Sequence, residues 1–153
     1  MAISAMPATD DQIEPQAKLI ESLAEIRTGR RRSGIQSAIQ IIQEFDKSKL
    51  VGEAAAARLS VAEALAGTSE HSLARQLTLS ALGFFEQRGI WESVWRGRVV
   101  AVRASNDSAE AEANMASAHS AFAQLKKIWP AGSVESYMQR PDIKLLCSGL
   151  SFQ

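Results

Sequence analysis

The chain has 153 residues, of which 46% are hydrophobic and 22% are charged, and this composition is typical of a folded protein rather than a disordered one. The 17 Lys and Arg residues balance the 17 Asp and Glu residues, which argues against the broad basic surface of a nucleic-acid-binding protein. The single cysteine, Cys147, forms no internal disulfide, and no apolar run approaches the ~20 residues of a membrane span. We therefore expect a cytoplasmic protein without a membrane segment.

The content of alanine and proline predicts an all-α protein. Alanine occurs 25 times, and no proline lies between residues 16 and 129, whereas a proline inside a helix costs ~3 kcal/mol or more. The small polar residues 1–11 are predicted to form a flexible N-terminal arm, and residues 149–153 a C-terminal tail. Between them, helices are predicted over residues 13–27, 33–47, 50–66, 69–88, 90–104, 108–128, 133–139 and 141–146.

The first of these helices is expected to bury one apolar side. Pro15 is placed in its first turn, where a backbone N–H group is unpaired in any case, and Thr28 and Gly29 end it. The residues expected on the buried side are Ala17, Ile20, Leu23, Ala24 and Ile26.

Three segments of the chain align with each other at a spacing of 40 residues. Helices that repeat in register with short connections form stacked antiparallel pairs. The turn at Gly89 is therefore expected to join one such pair, with a left-handed glycine backbone and with Phe85 and Val94 packed in the core. The aligned first-helix positions are Ile41, Ile42 and Phe45, then Ala81, Leu82 and Phe85, then Ala121, Phe122 and Leu125.

The best-defined repeat runs from Ala81 to Ala101. It has the aromatic Phe85 near the end of its first helix, the turn glycine Gly89, and Trp91 and Val94 at the start of its second helix. This pattern resembles the tetratricopeptide repeat, and the resemblance extends over residues 33–146.

The resemblance implies a TPR-like right-handed superhelix of about three repeats of ~40 residues, in a single helical domain over residues 12–148. The other two repeats depart from the pattern. Lys49 replaces the turn glycine in the first, and Trp129 replaces it in the third. Pro130 and Pro141 also disturb the second helix of the third repeat.

The same resemblance implies a protein–protein interaction adaptor that binds a peptide or protein segment along the first helix of each pair. On that face Gly83, Ala116 and Ala123 are small and leave room for a partner, and polar side chains are available to bind its backbone. The expected partner-binding residues are Gln36, Gln43, Asp46, Gln76, Leu79, Glu86, His119, Lys126 and Lys127.

Catalytic and metal-binding motifs are missing from the sequence. His71 and His119 are 48 residues apart and have no Glu or Cys at ligand spacing. A nucleophile elbow and a phosphate-binding glycine loop are also missing, and Cys147 lies among leucines as a small buried residue. We expect no enzymatic activity, no cofactor and no metal.

Two other functions stay open. A helical oligomerisation or regulatory module would pair an exposed apolar terminal helix with itself as a homodimer, because incomplete repeat arrays leave their ends uncovered. Nucleic-acid binding through Arg27, Arg30, Arg31 and Arg32 is less favoured, since no aromatic residues alternate with these arginines and a solvated turn explains them. Trp91 and Trp95 are interpreted as core residues. Arg58 and Arg98, which are 40 positions apart, are expected either to extend along the outer face or to pair with acidic residues.

Overall fold

The computed structural model describes residues 10–152, with side chains from residue 14 onward, and this part of the chain forms eight α-helices and no strand. The all-α prediction is confirmed. Residues 1–9 of the predicted N-terminal arm lie outside the described residues. The helices are α1 (Asp10–Arg27), α2 (Arg31–Lys47), α3 (Val51–Leu65), α4 (His71–Arg88), α5 (Trp91–Arg103), α6 (Ser108–Ile128), α7 (Ser133–Met138) and α8 (Pro141–Leu146).

The start of α1 differs from its predicted position. The helix begins at Asp10 rather than at residue 13, so the last two residues of the expected arm are helical. Pro15 consequently lies inside the helix and not in its first turn.

The chain divides into two compact units, with the boundary between Leu50 and Val51. The first unit contains the hairpin of α1 and α2, and the second contains α3 to α8. Consecutive helices pack against each other within each unit: α1 with α2 in the first, and α3 with α4, α4 with α5, and α5 with α6 in the second, of which the pair of α4 and α5 was predicted from the turn at Gly89. The single domain over residues 12–148, the superhelix and the number of repeats stay predictions.

Within the first unit, α1 and α2 meet at Gly34. A Cβ atom on Gly34 would lie 2.6 Å from the carbonyl oxygen of Ser22 and 2.9 Å from the side chain of Ile26, so only glycine permits this approach. The other buried residues of α2 are Ala38, Ile41, Ile42 and Phe45.

The predicted buried side of α1 is wrong in part. Ile26 is buried and Leu23 is half-buried, whereas Ala17, Ile20 and Ala24 are exposed. The residue that packs one turn before Ile26 is the polar Ser22, whose hydroxyl donates to the carbonyl of Lys18. Helix α1 therefore has an apolar stripe on the side facing away from α2.

The centre of the second unit is Trp95 on α5, which is fully buried. Its ring centroid lies 5.5 Å from that of Phe122 on α6, 5.7 Å from Tyr137 on α7 and 5.5 Å from Phe152. The prediction of core residues is confirmed for Trp95, whereas Trp91 is only half-buried. Cys147 is buried as expected. Helix α5 packs between α4 and α6 and therefore positions both of them.

Helix α4 ends as the sequence predicts. Gly89 has φ 64°, and its N–H donates to the Glu86 carbonyl at 3.2 Å. The N–H of Ile90 donates to the Phe85 carbonyl at 3.0 Å, which completes a Schellman motif. Phe85 and Val94 are both buried, as expected.

The segment predicted as a third repeat has no such turn. Helix α6 ends at Ile128. Its C-cap residue Trp129 has an extended backbone, and the N–H of Trp129 donates to the Leu125 carbonyl at 2.9 Å. Pro130 has no N–H to complete the motif that Ile90 completes. The two short helices α7 and α8 follow, in place of one full second helix.

Candidate functional site

All nine predicted partner-binding residues are exposed, and all lie on the first helices of the predicted pairs. Gln36, Gln43 and Asp46 lie on α2 in the first unit. The other six lie in the second unit, on α4 and α6, and we refer to exposed residues of these two helices together as the α4–α6 face. It consists of Gln76, Leu79, Gly83 and Glu86 on α4, and of Ala116, His119, Ala123, Lys126 and Lys127 on α6.

An ion pair joins α4 to the first turn of α6. The Nε of Arg75 donates to a carboxylate oxygen of Glu110 at 2.6 Å. Glu110 is itself fixed, because its backbone N–H donates to the side chain of the N-cap residue Asp107 at 2.8 Å. From the sequence, acidic residues here are explained by the helix terminus alone, so this contact between helices was not predicted.

Arg98 on α5 makes a second link between α4 and α6. The guanidinium of Arg98 on α5 donates to Glu86 at 2.6 Å and to the side-chain oxygen of Asn114 at 3.0 Å. Asn114 is buried on α6 and donates to the Glu110 carbonyl. Of the two arrangements that the sequence left open for Arg98, the structure shows the pairing with an acidic residue. Glu86 consequently holds α4 to α5, and its carboxylate is already neutralised by a cation.

The α4 residues of the α4–α6 face form an exposed stripe, which contains a glycine, Gly83, that the packing of the helix does not require. A Cβ atom on Gly83 would meet no other atom within 4 Å. Among the helices of the described chain, the other glycines are Gly34, Gly52 and Gly97, and a Cβ on each would lie 3.3 Å or less from a neighbour. A glycine inside a helix costs roughly 0.5–1 kcal/mol relative to alanine, so Gly83 weakens α4 without improving its packing.

Next to Gly83, one turn earlier, Leu79 is 43% exposed. Gln76 lies a further turn along the same stripe and is also exposed. Helical residues at this spacing are neighbours on the surface. The stripe therefore offers an apolar side chain, an amide and an open backbone to a partner.

On α6, cations lie at the end of the face. Lys126 and Lys127 are exposed in the last turn, where positive charge also stabilises the helix terminus. The Nζ of Lys126 lies 5.9 Å from the centroid of the Phe122 ring. The ring of His119 lies 5.0 Å from that of Phe152, so this predicted binding residue contacts the C-terminal segment.

Residues 149–152 of the predicted C-terminal tail pack against the helices of the second unit. Arg103 on α5 donates to the Leu146 carbonyl at 2.6 Å and also to the Ser148 carbonyl, which holds the end of α8. Gly149 then turns the chain with φ 79°. The sequence contains no signal for this contact, because it joins residues more than 40 positions apart.

A polar network connects α3, α5, α7 and α8. Arg96 donates to both carboxylate oxygens of Glu63 at 2.6 Å, and lies 3.5 Å from Glu92 and 3.8 Å from Asp142. The hydroxyl of Tyr137 donates to Glu92 at 3.0 Å. Hydrogen bonding to Glu63 raises the pKa of Arg96, and burial together with Glu92 raises the pKa of Tyr137. These groups hold elements together, and each acid has a cationic partner.

Of the four clustered arginines, Arg27, Arg30, Arg31 and Arg32, not all are as exposed as a solvated turn would make them. Arg27, Arg30 and Arg32 are exposed, and the guanidinium of Arg30 lies 3.9 Å from Glu25. Arg31 is half-buried in the first turn of α2, which corrects the expectation that it lies in a solvated turn. Arg31 is the first residue of α2, which begins two residues earlier than predicted.

A polar cavity of about 270 Å³ lies between α1 and α2. The acidic residues on its wall, Glu21, Glu25 and Glu44, outnumber the single cation Lys18, so its charge does not suit a phosphate. Ser22, Ser37, Gln40 and Ile41 complete the lining.

Over residues 10–152, no group of three or more His, Cys, Asp or Glu residues is arranged to hold a metal ion. None of the helices described is long and apolar enough to cross a membrane. Comparisons of the chain with protein-family models, with curated proteins and with solved structures found no match.

Proposed function

We propose that this protein is an adaptor that binds a peptide or protein segment on the α4–α6 face. The observation that carries the proposal is Gly83, an exposed helical glycine with open space where its side chain would be. Close approach of a partner backbone is one of the few physical reasons for a glycine in such a position.

The chemistry of the face supports a polypeptide partner. Leu79 provides apolar contact, Gln76 provides both a donor and an acceptor for a backbone, and His119 and Lys126 provide polar and charged contacts. Helices α4 and α6 both pack against α5, and the ion pair between Arg75 and Glu110 joins them directly. Both signs of charge occur on the face, and we expect moderate salt dependence of binding rather than the steep dependence of phosphate binding.

Substitution of Gly83 by arginine tests this function. The variant adds a long charged side chain into open space, so α4 should fold while the face is blocked. The matched control is Ala56→Arg, which adds the same side chain at an exposed position of α3. We expect partners recovered by wild type and by Ala56→Arg in affinity purification from the native cell to be lost with Gly83→Arg. Identical partner sets for all three proteins would remove the α4–α6 face as the binding site.

A second candidate function, self-association through α1, is favoured by the exposed stripe of Ala17, Ile20 and Ala24. Ile20 is 68% exposed although it lies in the middle of the helix. Small residues on either side of Ile20 allow two helices to approach closely. In sedimentation over a range of concentrations, Ile20→Glu should shift an oligomer to the monomer. A wild-type protein that is monomeric at every concentration would exclude this function.

A further inference from the structure

Phe152 is inserted among three aromatic side chains of α5 and α6, which we call the aromatic socket: Trp95, His119 and Phe122. The ring of Phe152 lies edge-on to Trp95 at 5.5 Å, and tilted to His119 at 5.0 Å and to Phe122 at 5.8 Å. Offset and edge-on arrangements at these separations are the favourable ones for aromatic rings. The socket thus selects an aromatic side chain.

Few backbone hydrogen bonds hold the segment that delivers Phe152 after Ser148, whose carbonyl accepts from Arg103. The N–H of Leu150 donates to the Cys147 carbonyl at 2.8 Å, and no later backbone hydrogen bond occurs in the chain up to residue 152. Ser151 is exposed, and Phe152 itself is half-buried although Trp95 beneath it is fully buried. An extended segment anchored by one aromatic side chain is the way in which many proteins hold a short peptide.

His119 is part of both the aromatic socket and the α4–α6 face. Its edge is cationic, because Lys126 lies 5.9 Å from the Phe122 ring and Lys127 is exposed beside it. The segment from 148 to 152, Ser-Gly-Leu-Ser-Phe, brings no acidic residue to these lysines. A competing segment with acidic residues next to its aromatic residue would gain ion pairs that Phe152 does not make.

We propose that the aromatic socket is a peptide-binding site that Phe152 occupies within the same chain, and that a partner segment with an aromatic residue flanked by acidic residues displaces it. The proposal rests on the adaptor function and names its partner and its regulation. A tethered occupant competes at an effective concentration in the millimolar range for a short linker, so only a partner of matching chemistry displaces it. Displacement without a replacement ring would leave Trp95 and Phe122 facing water.

The probe for this proposal is a fluorescein-labelled, terminally blocked peptide of sequence Glu-Leu-Ser-Phe-Glu, with an otherwise identical peptide carrying alanine in place of phenylalanine as its control. Binding is measured by fluorescence anisotropy to wild type and to Phe152→Ser. We expect the probe to bind Phe152→Ser at least tenfold more tightly than wild type, because the socket is then vacant. The alanine peptide should not bind either protein.

Two further variants locate the probe. In the Phe152→Ser background, His119→Ser should weaken binding at least tenfold, because it removes one wall of the socket, and Lys126→Glu should weaken binding because it reverses the charge at the edge. Equal affinity for wild type and Phe152→Ser, or no binding to Phe152→Ser, overturns the proposal. Loss of helical circular dichroism in Phe152→Ser also overturns it, since Phe152 would then be a core residue and not a displaceable ligand.

Probe binding and the partners recovered with Gly83→Arg together show which of the two proposals is wrong, the aromatic socket or the adaptor function. If the probe does not bind but Gly83→Arg still loses its partners, the α4–α6 face binds them without the aromatic socket. If the probe binds as expected but Gly83→Arg retains every partner, the socket is a binding site that is independent of the stripe on α4.

Discussion

Lys49 and Gly89 have the same left-handed backbone conformation 40 residues apart in the sequence, with φ 59° and 64°. The hydrogen bonds around them also correspond. The N–H of Leu50 donates to the Phe45 carbonyl at 2.9 Å, as the N–H of Ile90 does to the Phe85 carbonyl at 3.0 Å. Two helix ends 40 residues apart therefore share the same backbone geometry, even though only one of them has the glycine that suits it.

This relationship predicts that substitutions at Lys49 and Gly89 have opposite effects on the free energy of unfolding. A residue other than glycine in the left-handed region is strained by roughly 1–2 kcal/mol, part of which is offset by the greater freedom of glycine in the unfolded chain. We expect Lys49→Gly to raise the free energy of unfolding by about 0.5–1 kcal/mol, and Gly89→Val to lower it by at least as much. Urea denaturation measures both, and a destabilised Lys49→Gly would contradict the assignment of strain.

Gly83 and Gly34 should respond differently to alanine. At Gly83 the added methyl group meets open space, so Gly83→Ala should stabilise the protein by about 0.5–1 kcal/mol through helix propensity. At Gly34 the same methyl group would lie 2.6 Å from a backbone oxygen of α1, and we expect a loss of about 1–3 kcal/mol. Thermal and urea unfolding of both variants give the comparison. If Gly83→Ala were destabilising, the glycine would have a structural role and the main support for the adaptor proposal would be lost.

Phe85 should be essential to the core of the second unit. It is 5% exposed on α4, and truncation of a buried phenylalanine costs about 3–5 kcal/mol. The control is Arg32→Ala, at an exposed position of α2, which should change the free energy of unfolding by no more than about 0.5 kcal/mol. Denaturant unfolding of Phe85→Ala that matched the control would show that α4 does not pack through this residue.

The ion pair between Arg96 and Glu63 should contribute far more than an exposed pair. Both side chains are largely buried, so Arg96→Ala leaves the Glu63 carboxylate without its partner and should cost about 2–4 kcal/mol. The pair of Lys18 and Glu14 has a similar separation, 2.8 Å, but both side chains are exposed. Lys18→Ala should therefore leave the unfolding curve unchanged. Equal effects of the two substitutions would show that burial does not strengthen the Arg96 pair.

Cys147 makes stability depend on pH above neutrality. Burial raises the pKa of its thiol to about 11, above the ordinary value of 9.0. The unfolded chain releases this proton first, so the contribution of the thiol to stability is complete below pH 9 and is lost as the pH rises towards 11. The free energy of unfolding of wild type should fall over this window more steeply than that of Cys147→Ala. Parallel curves would mean that the thiol titrates alike in both states.

The local elements of this fold could be predicted from the sequence because their causes are local. Helix α4 ends at Arg88 as predicted, since Gly89 adopts a conformation that other residues adopt at a cost. The helices over 108–128 and 141–146 have their predicted bounds, because Asp107 caps the first and Pro141 starts the second. Alanine content and the positions of proline are enough for the all-α class.

Which residues meet across helices was decided by the tertiary structure alone. Helix α1 has apolar residues on two sides, and periodicity could not select the side with Ser22 and Ile26 over the side with Ile20, because that choice depends on the shape of α2 at Gly34. The charge pairs of Arg75 with Glu110 and of Arg96 with Glu63 join residues 35 and 33 positions apart. The insertion of Phe152 into the aromatic socket likewise joins residues that are far apart in the sequence. Such contacts follow from which helices become neighbours, and that is a property of the packed chain and not of any local pattern.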